Sequence, residues 1–252
     1  MSEAASVRTG PTDTDDAEPA PSREAPVWSR YALVAGGALA LLLLGAAAGL
    51  LIGLPDSSDA PAAPGPDSVD VGFAQDMTVH HEQAVEMATW ERDHTTDPQL
   101  RQLAYDIESG QSRQIGHMQG WLGLWGASSL PTGPFMRWMP SGMSGMPGMS
   151  GMSGHAASGS TGAGVTRMPG MATDDEMHQL RTSTGAAMDT LFLQLMLRHH
   201  QGGVGMLSYA AHAAAQPDVR NLAAQMLTAQ TNESVYMRHL LAQRGAAPLP
   251  GG

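Results

Sequence analysis

Apolar and polar positions divide the chain into one long uncharged run followed by stretches with helical periodicity. Residues 31–54 carry no charge. As a helix rising about 1.5 Å per residue, this run would exceed the roughly 30 Å hydrocarbon core of a bilayer, so it predicts one transmembrane helix. Beyond residue 66, apolar residues recur every three or four positions, which is typical of helices that bury one face.

Two of the periodic stretches repeat each other at an offset of 119 positions. FAQDMTVHHEQAVEM occupies residues 73–87, and FLQLMLRHHQGGVGM occupies residues 192–206. The register continues without a gap over residues 73–126 and 192–245. Both copies keep the pattern Met-x-x-His-His, which indicates an internal duplication that can assemble one site by pseudo-symmetry.

Each copy predicts a helical hairpin. The second helix of each copy starts at a proline, Pro98 or Pro217, and Gly126 and Gly245 mark the predicted helix ends. Thr173–Glu176 reads TDDE, a capping box that opens a further short helix. The expected fold class is therefore all-α, with two duplicated hairpins that can pack into a four-helix bundle, a common place for metal ligands.

The composition shifts along the chain predict seven segments. The first residues are acidic and rich in proline and alanine, which predicts disorder, and the central segment is rich in methionine and glycine. The segments are a cytoplasmic tail (1–30), a transmembrane helix (31–54), a Pro/Ala linker (55–66), a first helical hairpin (67–126), a flexible Met/Gly-rich loop (127–172), a second helical hairpin (173–245) and a short tail (246–252).

Charges on the two sides of the apolar run predict its orientation. Arg23 and Arg30 precede it, whereas Asp56 and Asp59 follow it. The positive-inside rule then predicts a single-pass plasma-membrane protein with a cytoplasmic N-terminus and an extracytoplasmic C-terminal domain. An uncleaved anchor is favoured over a signal peptide because a cleaved signal normally has a shorter apolar region.

Composition narrows the chemistry. The net charge of −11, from 24 acidic residues and 13 basic ones, argues against a nucleic-acid partner and suits a surface that attracts cations. The chain has no cysteine, so thiolate sites and disulfides are excluded. All ten histidines and 17 of the 18 methionines lie after residue 54, on the predicted extracytoplasmic side.

The histidine pairs are the strongest candidate ligands. On a helical wheel each pair shares one stripe with flanking methionines, which places it toward the interior. A lone interior histidine is more often a hydrogen-bonded core residue, but two duplicated pairs flanked by thioethers favour copper, as Cu(I) or Cu(II). We also expect the two pairs to face each other across the bundle. The candidate metal ligands are Met77, His80, His81 and Met87 in the first copy and Met196, His199, His200 and Met206 in the second.

Further candidates occur in the central segment. Glycine and proline recur so often there that we expect no packing, and a flexible thioether-rich loop can wrap Cu(I) or Ag(I). The alternative is a low-complexity linker without a binding role. The residues concerned are Met136, Met139, Met143, Met146, Met149, Met152 and His155.

Two further kinds of residue occupy equivalent positions in the second helix of both copies. Met118 and Met237 are additional metal candidates, although methionine at such positions more often fills gaps in a core. Gln111 and Gln230 are polar residues on otherwise apolar stripes. They are expected either to hydrogen-bond the ligand histidines or to cap a buried backbone group.

The ordered motifs carry a family resemblance. The pattern F…M…HH…A…M, then P…L…LA…I…Q…M…WL, a Met/Gly segment and a second HHQGGV..M resembles the bacterial DUF305 family over residues 67–245. This resemblance implies a ferritin-like helical bundle and, as in some members, a periplasmic or secreted copper-binding protein linked to copper tolerance. It carries over both Met/His sets, with Met118 and Met237 matching a methionine late in each second helix. Gly203 stands where the family often has alanine, and with Gly202 and Gly205 it predicts a loosened helix.

Three functional classes follow from these observations. The first is a membrane-anchored copper-binding protein acting in copper tolerance, buffering or delivery. The second is a di-iron enzyme, which residues 191–215 disfavour because they contain no acid. The third is a metal-free helical module that binds a partner or serves a structural role at the cell surface. No motif indicates catalysis, so we expect no enzyme, and the sequence leaves open whether several copies form a homo-oligomer.

Overall fold

The computed structural model describes residues 27–53, 63–140 and 162–250. Within those ranges it contains six helices and no strand. The chain divides into two compact units, Met1–Ala60 and Pro61–Gly252. In chain order the helices are α1 Val27–Gly53, α2 Val69–His94, α3 Pro98–Leu124, α4 Asp174–Thr182, α5 Gly185–Ala213 and α6 Pro217–Gln243.

Helix α1 belongs to the first unit and is apolar over nearly its whole length. Its stretch Tyr31–Gly49 is long and apolar enough to cross a membrane, and the side chains of that stretch are exposed. Length and composition fit a membrane anchor, and a signal sequence near the N-terminus has the same properties.

The second unit is an all-helical bundle built on two hairpins. Helix α2 packs along α3, α5 packs along α6, and the hairpins meet where α2 packs against α5. The short α4 contacts both α2 and α5. Across the described residues this confirms the predicted four-helix bundle with one additional short helix.

Local signals set the helix ends where the sequence predicts them. Asp97 caps α3 by accepting a hydrogen bond from the Gln99 backbone N–H (2.8 Å). Thr173 and Glu176 form the predicted capping box of α4. After α3 and α6, Gly126 and Gly245 adopt left-handed backbone conformations with φ of 64° and 63°, which is the usual glycine end of a helix.

The duplication is visible in the structure. Helices α3 and α6 begin and end at positions offset by the same 119 residues as the repeat, and α2 and α5 end at matched positions. The register also holds in the hydrogen bonds: Arg101 donates to the Thr95 carbonyl and Arg220 to the matched Ala214 carbonyl. The two hairpins therefore share the same helix ends and the same contact at the turn between their helices.

Two hydrophobic clusters fill the interior. One joins the start of α2, including Phe73, to the end of α5, including Ala210. The other joins the second half of α2, including Ala88, to the first half of α5, including Phe192. Helices α2 and α5 thus cross in opposite directions, and the histidine pairs lie where the two clusters adjoin.

The expectation that the Met/Gly segment does not pack is wrong for its first part. Met136 and Met139 are buried in the core. The buried Asp76 carboxylate accepts hydrogen bonds from the Met136 backbone N–H (2.6 Å) and from Trp138 Nε1–H (2.8 Å). Trp138 covers Gly72, where an added Cβ would lie 2.4 Å from the indole ring.

The physical reason is that apolar side chains precede the glycine-rich repeat, and α2 offers them a carboxylate acceptor and a glycine surface. The remaining candidates of the segment, Met143, Met146, Met149, Met152 and His155, lie outside the described residues.

Candidate metal centre

Four histidines form a layer in the middle of the bundle. His80 and His81 of α2 and His199 and His200 of α5 have no exposed surface. The rings of His80 and His199 are in contact, with centroids 3.8 Å apart and an interplanar angle of 37°. The pairs therefore meet where α2 packs against α5, as the repeat predicts.

Each of three histidines is oriented by a hydrogen bond through its Nε2 atom. His80 Nε2 pairs with the Pro169 carbonyl (3.3 Å), and His81 Nε2 pairs with Gln114 Oε1 (2.8 Å). His200 Nε2 pairs with Glu233 Oε2 (2.6 Å). Because a carbonyl or a carboxylate can only accept, Nε2 carries the proton in these bonds and Nδ1 keeps a lone pair. This is the arrangement that protein ligands to metals usually show.

The remaining ring nitrogens have no hydrogen-bond partner. These are Nδ1 of His80, His81 and His200 and both ring nitrogens of His199. Buried polar groups in proteins are nearly always paired, so five unpaired nitrogens in one layer require an explanation. A neutral His199 carries a proton on one of its two nitrogens, so four of the five nitrogens have a free lone pair, which is what a metal ion takes from an imidazole.

Three of the four imidazoles are held in the neutral form. Burial, with a smaller contribution from the neighbouring histidines, lowers the pKa of His80 to about 4 and that of His81 to about 3. Burial likewise holds the pKa of His199 well below its ordinary value. Neutral imidazole is the form that binds a metal, so His80, His81 and His199 can bind at neutral pH without losing a proton.

The eight candidate ligands do not share one location. Met77 and Met206 pack in the cluster at the start of α2, whereas Met87 and Met196 pack in the other cluster. All four are fully buried. Two methionines therefore lie on each side of the histidine layer, and no single site unites all eight residues.

Met118 and Met237 follow the same division. Met118 packs in the cluster at the start of α2, and Met237 packs in the cluster at the second half of α2. Both are fully buried. Both lie in the core, and their role as metal ligands stays a prediction.

The donor set favours a soft cation. Within residues 27–53, 63–140 and 162–250, no group of three or more His, Asp or Glu side chains is arranged to hold a metal ion. The four histidines are therefore not arranged to hold one ion as a group of three or more. The layer offers imidazoles in pairs, with the methionines of the two clusters on either side. Imidazole and thioether donors suit copper, whereas hard cations prefer several carboxylates.

Both expectations for Gln111 and Gln230 are wrong. The two side chains are buried, yet neither amide group makes a hydrogen bond. The histidine partners are Gln114 and Glu233, about one turn later on the same helices. The helical stripe identifies which residues face inward, but the tilt between helices decides which side chain reaches a ring nitrogen. A polar residue at the matched positions 114 and 233 was the available signal.

Helix α5 is continuous through its glycines, so the expectation of a loosened helix is wrong. A segment of the central loop, residues 168–170 (the strap), crosses α5 beside the histidine pair. A Cβ added at Gly202 would lie 2.2 Å from the Pro169 carbonyl oxygen, and one at Gly203 would lie 3.1 Å from Gln230 Oε1. These two glycines permit close approach rather than bending, and the strap supplies the carbonyl that orients His80.

A di-iron enzyme is disfavoured by residues 191–215, which contain no acid. Helix α5 begins earlier, at Gly185, and therefore contains one acidic residue, Asp189. Asp189 lies beside the buried Glu91 of α2. Two carboxyl groups without an accompanying Glu-x-x-His on the other helices do not make a di-iron set.

Comparisons with known proteins agree with this architecture. The model of DUF305, a domain of unknown function, matches residues 70–241. A DUF305 protein from Streptomyces coelicolor is 40% identical, with a TM-score of 0.62 over 74% of this chain and 99% of the other. A DUF305 fragment from Deinococcus radiodurans is 29% identical, with a TM-score of 0.54 over 73% and 99%. CopM in its Cu(II)-bound form is 25% identical, with a TM-score of 0.50 over 70% and 97%. None of the curated proteins matches the chain.

Proposed function

The chain belongs to the DUF305 family, and from that premise we propose that it is a membrane-anchored, extracytoplasmic copper-binding protein. Copper is bound by the buried histidine layer together with neighbouring methionines. The role is copper tolerance, buffering or delivery, and it is a binding role rather than a catalytic one. The observation that carries this proposal is the set of five unpaired ring nitrogens buried in one layer.

The hydrogen bonds around the layer support metal binding. His80, His81 and His200 each use Nε2 toward an acceptor outside the layer, which leaves Nδ1 available. A purely structural histidine gains stability by pairing both ring nitrogens, whereas a ligand histidine must leave one free. CopM, which shares the fold, has been solved with Cu(II) bound.

The methionines support a preference for monovalent copper. Met77 and Met206 on one side of the layer and Met87 and Met196 on the other place thioethers in the same interior as the imidazoles. Thioether sulfur is a soft donor that favours Cu(I) and Ag(I) over Mg²⁺ or Ca²⁺. The methionines of the loop that lie outside the described residues are proposed as additional Cu(I) ligands.

The location rests on α1. Its apolar, exposed stretch is suited to a bilayer, and the charges flanking it favour an orientation with the bundle outside the cell. The Streptomyces coelicolor relative is provisionally described as secreted. Protease added to intact protoplasts should digest the bundle and leave α1 in the membrane fraction. A soluble, N-terminally trimmed form as the main species would contradict the anchor.

The decisive experiment measures copper bound by the full-length protein in detergent. We expect stoichiometric copper, reduced affinity when either histidine pair is replaced by alanine, and loss of the tightest site when both pairs are replaced. The matched control replaces four exposed histidines, His94, His178, His212 and His239, and should bind copper like the wild type. Circular dichroism checks that each variant is folded. A folded wild type without copper would instead favour the metal-free helical module.

A further inference from the structure

The two halves of the histidine layer differ at one matched position. Gln114 on α3 and Glu233 on α6 each lie 33 residues after the histidine that they contact. The repeat therefore places a neutral amide beside His81 and a carboxylate beside His200. This is a difference of charge at nearly the same place in two related hairpins.

The two contacts have closely similar geometry. Gln114 Oε1 lies 2.8 Å from His81 Nε2, and Glu233 Oε2 lies 2.6 Å from His200 Nε2. Both rings are fully buried, while the Glu233 side chain is 27% exposed. The Glu233 carboxylate thus reaches inward from a surface groove between α3 and α6, beside Asp106 and Tyr236.

The charges nearby leave Glu233 free to act on His200. Arg198 precedes the second histidine pair in the chain, but both of its terminal nitrogens are bound by the Glu176 carboxylate (2.8 and 2.6 Å). The cation closest in sequence to the pair is therefore already neutralised by another carboxylate. The negative charge of Glu233 is directed to the imidazole.

A carboxylate and an amide have different effects on a histidine ligand. Both hold the ring in one orientation and one tautomer. Only the carboxylate also increases the electron density at the opposite nitrogen and adds a negative charge close to a bound cation. Partners of this kind commonly change metal affinity by about 10- to 100-fold.

We propose that Glu233 is a positioning residue that makes His200 the stronger copper ligand of the two matched histidines, so that the two halves of the layer load copper unequally. This inference rests on the proposed copper-binding function and deepens it.

The repeat supplies matched variants for the test. Glu233→Gln gives the second hairpin the chemistry of the first, and Gln114→Glu gives the first hairpin the chemistry of the second. The double exchange, Glu233→Gln with Gln114→Glu, moves the carboxylate to the other half of the layer. Cu(I) affinity of the full-length protein in detergent is measured by competition with a chromogenic chelator at fixed pH.

We expect Glu233→Gln to weaken the tightest copper site by about tenfold or more, and Gln114→Glu to leave that site at least as tight. The double exchange should restore affinity to within a fewfold of the wild type. Nitrogen-15 NMR of the copper-free protein should show the same Nε2-protonated tautomer of His200 before and after Glu233→Gln. Recovery in the double exchange would show that the charge matters, because a merely structural role for Glu233 would not be rescued from α3.

The measurements distinguish failure of the role proposed for Glu233 from failure of the proposed copper-binding function. If wild-type protein binds copper and the paired-histidine variants lose it, but Glu233→Gln stays within twofold of the wild type, the inference falls and the copper function stands. A loss in Glu233→Gln without recovery in the double exchange also overturns the inference. Absence of copper from folded wild-type protein overturns both.

Discussion

Replacing Glu91 by glutamine should change how the stability of the bundle depends on pH. Glu91 on α2 has no exposed surface, and its carboxyl group lies against that of Asp189 on α5. Its pKa is raised from an ordinary value of 4.5 to about 8, mainly by burial and also by the adjacent Asp189 of α5, while Arg244 acts in the opposite direction. The position matched to Glu91 in the second copy is Ala210, so only the first copy has a carboxyl group there.

The sign of the effect follows from the raised pKa. The folded protein holds the proton of Glu91 up to about pH 8, whereas the unfolded chain releases it near pH 4.5. The stability that the neutral carboxyl contributes is therefore fully present below about pH 4.5 and is lost as pH rises toward 8. At 1.36 kcal/mol per pH unit the loss is at most about 5 kcal/mol, and it stops once both states are ionised.

The assay is denaturant unfolding of the copper-free protein between pH 4.5 and 8.5. Glu91→Gln keeps the shape of the side chain and cannot ionise, so its advantage over the wild type should grow by several kcal/mol across that range. Glu82→Gln, on the exposed face of the same helix, should run parallel to the wild type. If the difference between Glu91→Gln and the wild type does not change with pH, Glu91 is not held neutral and the reasoning is refuted.

Three further predictions address the other parts of the bundle. Trp138→Ala should destabilise by about 3–5 kcal/mol in denaturant unfolding, because the indole is buried, and deletion of residues 135–154 should lower stability as well. Gly202→Ala should lower the thermal transition by displacing the strap, whereas Gly205→Ala, where nothing lies within 4 Å, should raise stability by about 0.5–1 kcal/mol. In the copper-free protein, NMR should show His80 neutral down to about pH 4 and His81 down to about pH 3, and titration of either near 6.5 would contradict their burial.

The sequence by itself determined the helices and their duplication. Prolines, capping residues and glycines act over a few neighbouring residues, so α3 and α6 begin and end where Pro98, Pro217, Gly126 and Gly245 predict. The inward direction of the histidine pairs was also predictable, because a helix of 3.6 residues per turn places periodic positions on one face.

The partners of those inward residues depended on the tertiary structure. Gln114 and Glu233, rather than Gln111 and Gln230, reach the histidines, because the angle between packed helices decides which turn of α3 or α6 faces a ring. The division of the methionines between two clusters follows from the antiparallel crossing of α2 and α5.

The contacts of the central segment also depended on the tertiary structure. Its glycine and proline content correctly argued against a helix, but not against burial. Met136 and Met139 enter the core because Asp76, 60 residues earlier, binds the backbone beside them. The strap reaches His80 across 89 residues because Gly202 leaves room for its carbonyl. Local periodicity reports which side of an element is buried, whereas contacts between distant segments depend on shape and hydrogen-bond complementarity, which only the folded chain brings together.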